Sequence, residues 1–147
     1  PKENIKNRRA INCPIPSQAK ELLARVKEIQ KSLQGSKWNP DMYIFSDKGD
    51  KHLSDQSGRV TFQRILERNN LPKSVLHGFR TVTQLLWDKQ NFTNNAINVQ
   101  LDHTQVGSSS VIDRYLGEES FIDERREMIQ WLADYIDSEI TSYQVSL

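Results

Sequence analysis

A single cysteine in 147 residues excludes an internal disulfide and points to a reducing cytoplasm, with Cys13 expected to be an inert buried thiol. Long hydrophobic runs are missing too. No stretch approaches the roughly 18 apolar residues that cross a bilayer, which argues against a membrane role. Pro1-Lys2-Glu3-Asn4 carries no hydrophobic targeting segment. Histidine is scarce, and none of the three residues pairs with another at the short helical spacing of a His-based metal site, so no metal or other cofactor is expected. Internal repeats and low-complexity segments are absent, and the length suits one hydrophobic core.

Net charge is also nearly absent, at +1, but it is unevenly spread. Residues 1–37 hold nine Lys or Arg against three acids, whereas residues 118–147 hold two against eight. A basic first third, including Lys6, Arg8 and Arg9, suits a surface that neutralises phosphates, and an acidic tail suits a face turned away from them or toward a basic partner. Two solvated faces would give the same pattern.

What is present is mostly helical periodicity. Residues 5–15 read as extended and end at Pro14 and Pro16, which suggests half of a small edge hairpin. Ser17 is a plausible N-cap for a helix whose stripe of Leu22, Leu23, Val26, Ile29 and Leu33 should face the core and stop at Gly35. Tyr43-Ile44-Phe45 reads as a short buried stretch, and Val60, Phe62, Ile65 and Leu66 mark a helix over 54–69. From His77 the pattern is that of a buried helix through Leu85, Leu86 and Trp87, which puts Arg80 near a helix N-terminus, a setting that favours anions. Ala96, Ile97, Val99 and Leu101 predict another helix, ending near His103. Gly107-Ser108-Ser109-Ser110 is a flexible run, and a long amphipathic helix is expected over 119–143. Tyr43, Tyr135 and Tyr143 read as core or rim, Trp38, Trp87 and Trp131 as packing residues, and His52 as a surface histidine.

Four groups stand out by chemistry and order: Lys6, the run His77-Gly78-Phe79-Arg80, His103 and Tyr115. A tyrosine hydroxyl can attack phosphorus, an arginine fork can grip two non-bridging oxygens, and histidine and lysine can move protons at the bridging oxygens. Together they could cleave a phosphodiester.

These residues resemble the tyrosine recombinase, or phage integrase, family, in its prophage and genomic-island branch. Lys6 followed by Cys13-Pro14-Ile15-Pro16 and Ser17-Gln18-Ala19 is similar to that branch's lysine, strand end and following helix. His77 to Arg80 resembles its His-x-x-R motif, Leu101-Asp102-His103 its Leu-small-His motif, and Arg114-Tyr115 its nucleophile segment. Glu124-Arg125-Arg126-Glu127-Met128 and Trp131 to Asp137 resemble its C-terminal helix, a match independent of catalysis. The resemblance implies a mainly α fold with a small β-hairpin or sheet. It implies that residues 1–147 form the C-terminal portion of an integrase catalytic domain, lacking the upstream helix with a further catalytic arginine and the N-terminal DNA-binding domain. This portion alone is expected to be inactive.

The implied reaction of the full-length protein is site-specific DNA recombination through a transient 3′-phosphotyrosyl link. Tyr115 would be the nucleophile and His77 the base, Arg80 and His103 the phosphate-holding groups, and Lys6 the acid. Lys6, Arg8, Arg9, Arg80 and Arg114 would contact DNA. Implied partners are double-stranded attachment sites, other integrase protomers and accessory DNA-bending proteins, in a bacterial cytoplasm and on the nucleoid when DNA-bound. Two other readings use the same residues. One is a noncatalytic DNA-binding or regulatory remnant, supported by Asp102 standing where a small residue is usual. The other is a protein-interaction domain that docks through the C-terminal helix.

Overall fold

The computed structural model describes residues 12–46, 51–103 and 121–145. They form five α-helices, α1 (Ser17–Gln34), α2 (Asp55–Arg68), α3 (Leu76–Lys89), α4 (Asn94–Gln100) and α5 (Ile122–Val145), with a 3-10 turn at Gly35–Lys37 after α1. The expected mainly α character is borne out. The expected small β-hairpin is not seen: the described residues contain no strand, and residues 12–16 are irregular. Pro14 and Pro16 cannot donate to a strand ladder. The rest of the expected hairpin, with Lys6, lies outside the described residues. The chain divides into two compact units, Ser17–Thr81 and a second made of Pro1–Pro16 and Val82–Leu147.

In the unit Ser17–Thr81, α1 corrects two expectations. Ser17 is the first helical residue rather than the cap, its hydroxyl donating to Gln18 Oε1 at 3.0 Å. The apolar stripe forms but is not covered: Leu22, Ile29 and Leu33 are all more than half exposed. Periodicity selects the apolar face of a helix but does not supply its cover. Tyr43, Ile44 and Phe45, expected to be buried, are exposed as well. Their segment is held through its backbone instead, Gln30 Nε2 donating to the carbonyls of Tyr43 and Ile44. Helix α2 matches the expected span to within a residue. Ser54 caps it, its Oγ accepting from the Ser57 N–H at 3.2 Å, and so satisfies one of the orphan donors of the first turn.

The second unit holds the core. Trp87, Ile97, Leu101 and Met128 form one buried cluster, with Phe92, Ile129, Trp131 and Leu132 packed around it. The Trp87 indole N–H donates to the Met128 carbonyl at 3.0 Å, so the largest apolar side chain is buried without an orphaned donor. Leu85, expected in this core, is 57% exposed. Trp131 stacks on Tyr135 with ring centroids 5.4 Å apart. Helices α4 and α5 are tied by Glu124, which accepts from the Thr93 N–H at 2.7 Å and its hydroxyl at 2.9 Å, while the same hydroxyl caps α4 at the Ala96 N–H.

Arg125 is fully buried, an unexpected place for a residue in an acidic helix. Its Nε donates to Gln100 Oε1 at 3.0 Å and its Nη2 to the Asn12 carbonyl. Burial pushes its pKa down, and nearby Cys13 pushes it back up; a guanidinium nonetheless stays charged. The segment that carries the family resemblance without catalytic residues is therefore a core element, with Arg125 and Met128 sealed and Arg126 outside. Cys13, expected to be buried, is exposed, because the irregular segment from Asn12 to Pro14 lines an opening beside Ile122, Asp123 and Arg126. Among the described residues, no helix is long and apolar enough to cross a membrane.

Three helices end in the same way. Asn70, Asn91 and Asp102 have φ of 52°, 61° and 48°. Each is followed by a residue whose N–H reaches back to the helix: Leu71 to the Leu66 carbonyl, Phe92 to Trp87 and His103 to Asn98. This is the Schellman arrangement, with Asn or Asp in place of glycine at the left-handed position.

Candidate functional site

His77 and Arg80 lie in the first turns of α3, three residues apart and so on one helix face. Both line an open cleft of about 660 Å³ together with Arg59, Phe62, Gln63, Val75 and Leu76, all in the unit Ser17–Thr81. Two contacts fix its shape. Gln63 Nε2 donates to the Ser74 carbonyl at 2.8 Å, and Phe62 meets Phe79 edge-on with centroids 5.7 Å apart. The first holds α2 against the loop that leads into α3, the second against the first turn of α3 itself. A Cβ at Gly78 would meet only Val75 Cγ2, at 3.8 Å, so no close neighbour within the chain demands glycine there.

The cleft is cationic. Among the described residues no acidic one lines it, and neither Arg59, His77 nor Arg80 has an ion-pair or hydrogen-bonding side-chain partner there. Arginine forks left uncommitted in this way are suited to oxyanions, which they can grip through two parallel hydrogen bonds. Arg59 was missed from the sequence, where a lone arginine in mid-helix carries no signal. Its relation to His77 appears only once α2 and α3 are brought together.

His103 belongs to the second unit, where the end of α4 fixes it. Its N–H donates to the Asn98 carbonyl at 2.9 Å, and the Asp102 N–H to the Val99 carbonyl at 3.2 Å. Asp102 before the histidine is thereby explained by backbone conformation: the position has positive φ, where glycine is freest and where Asp and Asn are the best-tolerated alternatives. Asp102→Val is expected to destabilise this turn by roughly 1–2 kcal/mol, measured by chemical denaturation, and to displace His103. Unchanged stability would contradict this account of the turn. Lys6, Arg8, Arg9, Arg114, Tyr115 and the run Gly107 to Ser110 lie outside the described residues. Those described contain no group of three or more His, Cys, Asp or Glu able to hold a metal.

The chain is 27% identical over 142 residues to prophage integrase IntS of Escherichia coli K12, an alignment covering 92% of this chain and 32% of that protein. The same figures hold for the integrase of Shigella phage Sf6. The integrase of Enterobacteria phage P4 is 37% identical over 68 residues, which cover 46% of this chain and 15% of that protein. No protein-family model and no solved structure matches. The chain is thus a relative of the phage and prophage integrases, as the motif resemblance implied, and it spans about a third of the length of the first two.

Proposed function

We propose that these residues are the C-terminal portion of the catalytic domain of a tyrosine-type recombinase that exchanges DNA strands at specific sites. The observation that carries this reading is the pairing of His77 and Arg80 on one face of α3, lining a cleft with no acidic residue among those described. Integrase relatives aligned along 92% of the chain support it.

In this reading Tyr115 Oη attacks the scissile phosphorus, forming the Tyr–O–P bond as the P–O5′ bond breaks. The phenol proton passes to His77, and Lys6 protonates the departing O5′. Free tyrosine has a pKa of roughly 10, so the attack needs this base. Arg80 and His103 hold the non-bridging oxygens as their charge shifts in the transition state. The 3′-phosphotyrosyl link conserves the bond energy, and the 5′ hydroxyl of another strand reverses the step, so the chemistry requires neither metal nor nucleotide. Lys6, Arg8, Arg9 and Arg114 contact flanking DNA. The protein acts in the bacterial cytoplasm, on the nucleoid, with other protomers and accessory DNA-bending proteins. Ile136 and Ile140, exposed one turn apart on α5, suit packing against a second protomer. The alternative of a noncatalytic remnant draws on Asp102, for which the left-handed backbone supplies a conformational reason instead.

The test is a strand-exchange assay with the full-length protein and duplexes carrying the element's attachment sites. Joint molecules are expected with the unaltered protein and none with Tyr115→Phe, which lacks the attacking oxygen. Exchange that survives Tyr115→Phe would refute the reading.

A further inference from the structure

Arg59 has no counterpart among the motifs, yet it faces the same cleft as His77 and Arg80. Two guanidinium ions and an imidazole around one opening, with no carboxylate among the described residues that line it, suit an anion between them. One phosphate does not use the whole space. At about 660 Å³ the cleft lies within the roughly 300–1,000 Å³ that accommodates ligands of drug size. Phe62, Val75 and Leu76 give it an apolar lining against which a sugar or the face of a base can rest. Gln63 cannot compete for the ligand freely, because its amide is bonded to Ser74.

We propose that Arg59 is a DNA-phosphate ligand that holds the phosphate adjacent to the one gripped by Arg80, so that the cleft fixes one dinucleotide step of a single strand. This rests on the reading that the cleft faces DNA. It adds a residue of α2 to the site, eighteen positions upstream of His77.

The test is to titrate the 147-residue chain with a short duplex oligonucleotide by fluorescence anisotropy across a salt series, comparing Arg59→Gln, Arg59→Lys, Arg80→Gln and Arg68→Gln. Arg59 is exposed, so its replacement should leave the thermal melt unchanged. Arg68 lies nine residues further along α2, about half a turn out of phase, and serves as the control for loss of charge alone. Arg59→Gln is expected to weaken binding roughly five- to tenfold at low salt and to reduce the slope of log K against log salt by about one. Arg59→Lys should keep the slope but recover only part of the affinity, since an ammonium cannot grip two oxygens. Arg68→Gln should change neither.

If Arg59→Gln matches Arg68→Gln while Arg80→Gln loses affinity and slope, the role of Arg59 is refuted and the DNA-facing cleft stands. If Arg59→Gln and Arg80→Gln are both without effect, or the chain does not bind duplex DNA, the role of Arg59 and the DNA-facing cleft are refuted together.

Discussion

Replacing Arg80 by glutamine in the full-length protein is expected, on the proposed mechanism, to slow DNA cleavage by roughly 10²–10³-fold, about 3–4 kcal/mol of transition-state stabilisation. The loss in rate should far exceed the modest loss of affinity expected from one phosphate contact, because DNA affinity is shared among many such contacts whereas charge at the scissile phosphate develops only as the bond breaks. Arg80→Lys should recover little, since the lysine ammonium lacks the planar two-point fork. Single-turnover cleavage of a nicked substrate measures the rate directly. A rate within threefold of the unaltered protein would remove Arg80 from the site.

Trp87→Ala is expected to produce the largest loss of stability, roughly 3–5 kcal/mol, seen as a lower urea midpoint. Trp87 is 2% exposed and sits in the cluster with Ile97, Leu101 and Met128. Truncation leaves a cavity there and removes the indole hydrogen bond to the Met128 carbonyl. Trp87→Phe should cost less, because much of the volume is kept and only the hydrogen bond is lost. A Trp87→Ala cost below about 1 kcal/mol would mean that the cluster is not the core of its unit.

Much of this was written locally. Ser54 and Asn69 bracket α2, because capping and helix-ending residues act through their own short side chains and backbone. The helix that carries Ala96, Ile97 and Val99 and ends just before His103 followed from apolar spacing alone. What failed needed a partner to be known. The stripe Leu22, Ile29, Leu33 has helical period but no cover, and Tyr43 to Phe45 are apolar yet exposed. Arg125 enters the sequence reading as one charge of an acidic tail, although its spacing with Met128, Ile129 and Leu132 puts it on the buried stripe of α5, a signal present in the sequence. In the candidate site, His77 and Arg80 were legible because three-residue spacing fixes two side chains on one helix face. Arg59 was not, because its proximity to them is a product of the packing of α2 beside the start of α3.

The most direct measurement is the identity of the residue joined to DNA. The full-length protein is incubated with a nicked attachment-site duplex, which lets the cleaved strand diffuse away, and the denaturant-resistant complex is digested and mapped by mass spectrometry. A tyrosyl phosphodiester to a 3′ DNA end at Tyr115, lost in Tyr115→Phe, is the expected result. Linkage at another residue, linkage to a 5′ end, or a covalent complex that persists in Tyr115→Phe would contradict it.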